Sequence, residues 1–196
     1  MGNGQHGRKR AWIRQGLLFG LIGFIASAAV TLLSEAASRV LNMGAAVIVL
    51  VGIIAVGVLF DIVGIAVASA DPVPFNAMAA KRVPGARQAL RLVRNAGRVT
   101  AICNDVVGDI AGIVSGAAGA AIAIRVYTLH PSVPAVWASV GVVSLTAALA
   151  IGGKAWGKAY GIHSATAVTL RAGRVLKWLE DRLGLVLFAE AKRRSN

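Results

Sequence analysis

Apolar residues gather into four long runs, near residues 16–33, 45–70, 99–126 and 135–152, parted by charged or proline-bearing segments. Each run approaches the ~20 residues an α-helix needs to cross a hydrocarbon core, and tilt absorbs the excess of the longer ones. Between the second and third runs, residues 71–98 are punctuated by Pro72, Pro74 and Pro84. There Ala86–Arg94 reads as a short helix, with Ala89, Leu90 and Val93 on one side and Arg87, Arg91 and Arg94 on the other. From about Ser164 onward, Val168, Val175, Leu176, Leu179, Leu183 and Leu187 recur at helical spacing. Arg171, Arg174, Lys177, Asp181 and Arg182 fill much of the rest, so this tail is too charged to span and reads as a surface helix or a packing partner for the bundle. The pattern predicts an all-α integral membrane helical bundle of about four transmembrane helices, with a basic cytoplasmic helical hairpin and a C-terminal amphipathic helix. Residues 1–15 form a basic N-terminus, 16–163 the transmembrane domain and 164–196 the amphipathic tail.

Composition strengthens this picture. Of 196 residues, 57% are hydrophobic, against about 45–50% in a soluble domain, and the mean hydropathy is +0.70. The net charge is +13, from 21 Lys and Arg against 8 Asp and Glu. Such a balance suits nucleic acid in a soluble protein, but here the charges lie between apolar runs. Zinc-finger spacing and aromatic RNA-binding patterns are missing, so nucleic acid is not an expected partner.

The placement of charge orients the chain. Arg8, Lys9, Arg10 and Arg14 precede the first run, and Arg39 alone is basic after it. Lys81, Arg82, Arg87, Arg91, Arg94 and Arg98 fill the central segment, the stretch Thr128–Pro134 has no Lys or Arg, and Lys154 and Lys158 begin the basic end. Cytoplasmic segments carry the excess of Lys and Arg, so four spans with both termini and the central hairpin inside a cell membrane are expected. Anionic lipid headgroups would meet the basic inner segments. A cleaved signal peptide is an alternative for the first run, with Ser34-Glu35-Ala36 as a small-x-small site, but its apolar stretch exceeds a typical signal core.

Three acids lie inside the apolar runs: Asp61, Asp105 and Asp109. A carboxylate at the bilayer centre costs about 2.5–3.5 kcal/mol, which something must offset. Asp105 and Asp109 are four apart and would share a helix face. Asp61 and Asp109 each lie roughly 15 Å from the inner end of their run, with Asn104, Ser69 and Thr100 nearer the cytoplasm. Oxygen donors of this kind suit a hard divalent cation, which makes Asp61, Asp105, Asp109, Asn104 and Ser69 candidate metal ligands. In the structural alternative the acids are protonated, hydrogen-bonded across helices, or paired with Arg98, Lys154 or Lys158.

Other chemistry finds less support. The lone cysteine, Cys103, sits in an apolar run and reads as packing. His6, His130 and His163 are scattered. Gly152–Lys158 spells a G-x-x-x-x-G-K string, but Ala159 stands where a P-loop needs a hydroxyl and a span precedes it. No catalytic constellation emerges, so the chain is not expected to be an enzyme. Glycines four apart, Gly16 with Gly20, Gly108 with Gly112, and Gly153 with Gly157 and Gly161, would let helix backbones approach closely.

Four segments in order carry a family resemblance: Phe60-Asp61-Ile62-Val63-Gly64-Ile65-Ala66, Pro84-Gly85-Ala86-Arg87 with Ala89-Leu90-Arg91, Cys103-Asn104-Asp105-Val106-Val107-Gly108, and Gly153-Lys154-Ala155-Trp156-Gly157-Lys158. Their order and spacing over about residues 43–165 resemble the transmembrane domain of the CNNM/CorC family of magnesium-linked transporters. The resemblance implies a homodimer whose transmembrane core handles a divalent cation such as Mg2+. Against the family pattern, Gly64 and Lys154 stand where acids are usual, Asp61 replaces a Ser and Asp105 an Asn. The family's paired nucleotide-binding regulatory domains are not in this sequence. Lys154 would neutralise one of the aspartates, which leaves a non-transporting membrane scaffold or partner-docking protein as the alternative.

Overall fold

The computed structural model describes residues 16–18, 20–25, 27–29, 31–32 and 42–184. All regular elements among them are helical. A short apolar helix, α1 (Gly16–Ala29), comes first. It is followed by α2 (Met43–Ser69), α3 (Pro72–Ala80), α4 (Ala86–Arg94), α5 (Ala96–Thr100), a π-helix (Ala101–Gly108), α6 (Asp109–Leu129), α7 (Ala135–His163) and α8 (Ala165–Leu183). Three helical stretches are long and apolar enough to cross a membrane: Met43–Ser69, the continuous run Ala96–Leu129, and Ala135–His163. They answer to the second, third and fourth expected spans. The helix α1 covers part of the first. Residues 19, 26, 30 and 33 of that run, the basic residues 8–14, Arg39 and the tail beyond 184 with Leu187 lie outside the described residues.

The fourth span is longer than expected. Hydropathy falls at Gly152–Lys158, yet the helix continues to His163. Glycine inside a helix costs about 1 kcal/mol relative to alanine; at Gly153, Gly157 and Gly161 the cost is set against close helix packing, described below.

The chain divides into two compact units, Met1–Ile54 with Asp109–Leu149 and Ala55–Gly108 with Ala150–Asn196. In the first, α6 buries Ala111, Val114, Ser115, Gly119, Ile122 and Ala123. A methyl group on Gly119 would meet Thr146 Oγ1 of α7 at 2.8 Å, so these helices touch through a glycine. Hydroxyls here are satisfied within their own helices, Ser115 donating to the Gly112 carbonyl, Thr128 to Ile124 and Thr146 to Val142. That is the arrangement an apolar solvent demands, since it offers no partner of its own.

In the second unit, the segment between spans folds as expected into paired helices. Asp71 caps α3 by accepting a 2.8 Å hydrogen bond from the Val73 amide, with Pro72 and Pro74 in the first turn, where the ring is tolerated. The helix α4 occupies Ala86–Arg94, and Ala89 and Leu90 are buried. That apolar face packs against protein: Leu90 and Ala89 join Phe75 of α3, while Leu92 joins Val67, Val99, Cys103 and Leu176. The tail helix α8 is therefore a packing partner of α4. Glu180 accepts hydrogen bonds from Gln88 (3.2 Å) and Arg91 (2.6 Å) across that contact.

Candidate functional site

The α2 helix buries a stripe through Ala46, Leu50, Ile54, Gly57 and Asp61, spaced four, four, three and four residues apart, so Asp61 lies on its packed side. Its side chain is only 5% exposed. Two glycines make room for what surrounds it. A methyl on Gly108 would lie 2.7 Å from Asp61 Oδ1, and one on Gly64 would overlap the Asn104 amide. Each helix thus lodges a polar side chain in the other's glycine gap: Asp61 of α2 against Gly108, and Asn104 of the π-helix against Gly64. Thr100 adds a third link, its hydroxyl donating to the Gly64 carbonyl at 3.2 Å.

The π-helical geometry has a consequence for these contacts. Hydrogen bonds in a π-helix run from i to i+5, so the turn is wider than in an α-helix, and such turns recur at functional sites. Asn104 points inward, whereas Asp105 is exposed. Face-sharing by Asp105 and Asp109 presumes α-helical geometry throughout, and residues 101–108 depart from it. Asp109, at the start of α6, is exposed, as is Ser69 at the end of α2.

From α7 comes the counter-charge. Lys154 Nζ stands 3.5 Å from Asp61 Oδ2 and donates to the Gly108 carbonyl at 3.1 Å. Of the three basic residues weighed as partners, Lys154 is the one this geometry selects; Arg98 and Lys158 are exposed. The lysine reaches this place because α7 lies close to α2 here. Methyl groups on Gly153 and Gly157 would meet Val58 Cγ2 at 2.9 Å and Ile62 Cγ1 at 2.8 Å, and one on Gly161 would meet the Ile62 carbonyl at 3.0 Å. The glycine row expected from spacing alone is a helix-packing seam.

Chemically, the site is a buried carboxylate with one ammonium partner, two backbone carbonyls and a spare amide oxygen. The Asn104 Oδ1 atom is buried and has no hydrogen-bond partner. An orphaned acceptor one helical turn from an acid is a place where a hard cation or a water would gain contacts. Among the described residues there is no cluster of three or more His, Cys, Asp or Glu, so a cation here would rely on Asp61 with neutral oxygens. The sequence singles out Asp61 and Asn104, and marks Gly108 as a close-approach glycine paired with Gly112; Gly64 stands out only as the residue where an acid is usual. The signal for them was a glycine one turn from a polar residue on each of two neighbouring spans.

No curated protein and no solved structure matches the chain. The family model for the cyclin M (CNNM) transmembrane N-terminal domain matches residues 47–183. Three segments that carried the resemblance, 60–66, 103–108 and 153–158, are those that meet around Asp61, and over this matched core the chain belongs to the CNNM transmembrane-domain family.

Proposed function

We propose that this membrane protein handles a divalent cation, with Mg2+ the leading candidate, and that Asp61 is where the cation is held. The observation that carries this reading is a buried carboxylate one helical turn from the unpartnered Asn104 amide oxygen, which sits on a π-helical turn. Family membership supports it, since the CNNM transmembrane domain is linked to divalent-cation transport. Oxygen donors are the ligands a hard cation selects, and Mg2+ keeps several waters when few carboxylates are present. The cation is cargo, and no enzymatic step is proposed.

The same reading places the protein in a cell membrane with both termini and the basic hairpin on the cytoplasmic side, against anionic headgroups. It takes the protein as a homodimer. Asp105 and Asp109 are exposed on a membrane-crossing run, and a carboxylate facing lipid costs about 2.5–3.5 kcal/mol at the bilayer centre. A second copy, or a hydrated path shared with Ser69, would relieve that cost. Calorimetry on the purified chain with Mg2+ and Mn2+ should show saturable binding that Asp61→Asn abolishes; equal binding by the variant would overturn the assignment of Asp61. The Asp61–Lys154 pair favours a second reading, a non-transporting scaffold with an internally neutralised core. That reading expects unchanged cation content in cells lacking the protein and a partner that co-purifies in mild detergent.

A further inference from the structure

We infer that Lys154 is a tethered resident cation: its ammonium occupies the place against Asp61 that Mg2+ must take, so the chain itself closes the site. This rests on Asp61 being the cation locus. The lysine side chain is 28% exposed and the carboxylate 5%, so the lysine is the more accessible member of the pair. Its hold is loose. A charge-assisted N–H···O bond is about 2.7–2.9 Å long, whereas Nζ lies 3.5 Å from Asp61, farther than from the neutral Gly108 carbonyl to which it donates at 3.1 Å. The ammonium also leaves Asn104 Oδ1 unpartnered, so it satisfies only part of the oxygen set gathered there.

Charge arithmetic makes occupancy exclusive. One carboxylate balances one ammonium. A divalent ion in the same place would face both a single acid and a neighbouring cation, and the lysine must withdraw before the ion is held. A four-carbon flexible stem allows that withdrawal with α7 in place. The helix stays where it is because Gly153 and Gly157, on either side of Lys154, seat it against Val58 and Ile62. Lys154 therefore acts as a gate that sets the cation concentration at which the site fills.

Calorimetric titration of the full chain in detergent with Mg2+ tests this. Removing one partner of a buried ion pair leaves an uncompensated charge, so Lys154→Met should bind Mg2+ with a Kd lower than wild type by about tenfold or more. The charge-free Asp61→Asn/Lys154→Met double variant should fold and bind nothing. If Lys154→Met does not fold, Lys154→Arg carries the test: a guanidinium that can hold a carboxylate through two parallel hydrogen bonds should raise the Kd, and an unchanged or lower Kd overturns the gate. Equal binding by wild type and Lys154→Met overturns the gate while leaving Asp61 as the cation locus. Binding by Lys154→Met alone upholds it and shows a wild-type site held shut. No binding by either folded protein overturns both readings.

Discussion

At Gly173 of α8 an added methyl would meet the Ala89 amide nitrogen at 2.7 Å, and the Gly85 carbonyl oxygen lies close as well. Both are backbone atoms at the start of α4, which side-chain rotation does not clear. Gly85 itself has φ of 82°, a left-handed conformation that favours glycine. Gly141 of α7 has open space where its methyl would go. Gly173→Ala should therefore destabilise the fold by about 1–3 kcal/mol through overpacking, while Gly141→Ala should stabilise it by up to about 1 kcal/mol through helix propensity. Thermal unfolding in one detergent reads both, and a Gly173→Ala midpoint at or above wild type would refute the close-contact assignment. Spacing revealed part of this. The Gly153, Gly157, Gly161 row does pack, whereas Gly16, Gly20 and Gly112 have nothing within 4 Å. Four-residue spacing marks a shared face but carries no information on what lies opposite it. Gly85 and Gly173, 88 positions apart in the chain, share no local pattern at all.

Among the elements, α4 was legible and the π-helix was not. Ala89 and Leu90 alternate with Arg87, Arg91 and Arg94 at a 3.6-residue period, and that contrast alone marks Ala86–Arg94. Ala101–Gly108 has no such contrast, because it is apolar on most sides, and a wider turn leaves composition unchanged. Its effect is on direction. An extra residue absorbed in a π turn can be removed without rotating the flanking helix. Deleting Val107 should let the segment close into regular α-helix and turn Asn104 out of step with Gly108, so that the Asn104 amide leaves the Gly64 gap while Gly108 still faces Asp61. The expected outcome is a lower thermal midpoint than wild type together with loss of Mg2+ binding. A midpoint that rises would show that the π turn is a local irregularity without a packing role.

For the molecule as a whole, membrane residence follows from length and apolarity, and both are legible in the sequence. Three stretches, Met43–Ser69, Ala96–Leu129 and Ala135–His163, meet the requirement. Where side chains meet was not readable, because hydropathy treats lipid-facing and protein-facing residues alike. Trp137 and Trp156, both in α7, are 70% and 66% exposed, in a span whose apolar interior looks no different in sequence. Orientation depends on charge. Exposed Lys81, Arg82, Arg87, Arg94 and Arg98 lie before the run Ala96–Leu129 or in its first turn, and the turn Pro131–Pro134 after it has no basic residue. A single crossing would put Arg87 and Ser132 on opposite membrane faces, and the orientation proposed above has Arg87 on the cytoplasmic one. The lone Cys103 makes the test clean. In a Cys103→Ala background, a membrane-impermeant maleimide applied to intact cells should label Ser132→Cys and leave Arg87→Cys unlabelled until the cells are opened. Labelling of Arg87→Cys alone would invert the topology and place the basic hairpin outside. Labelling of both from outside would mean that Ala96–Leu129 does not cross.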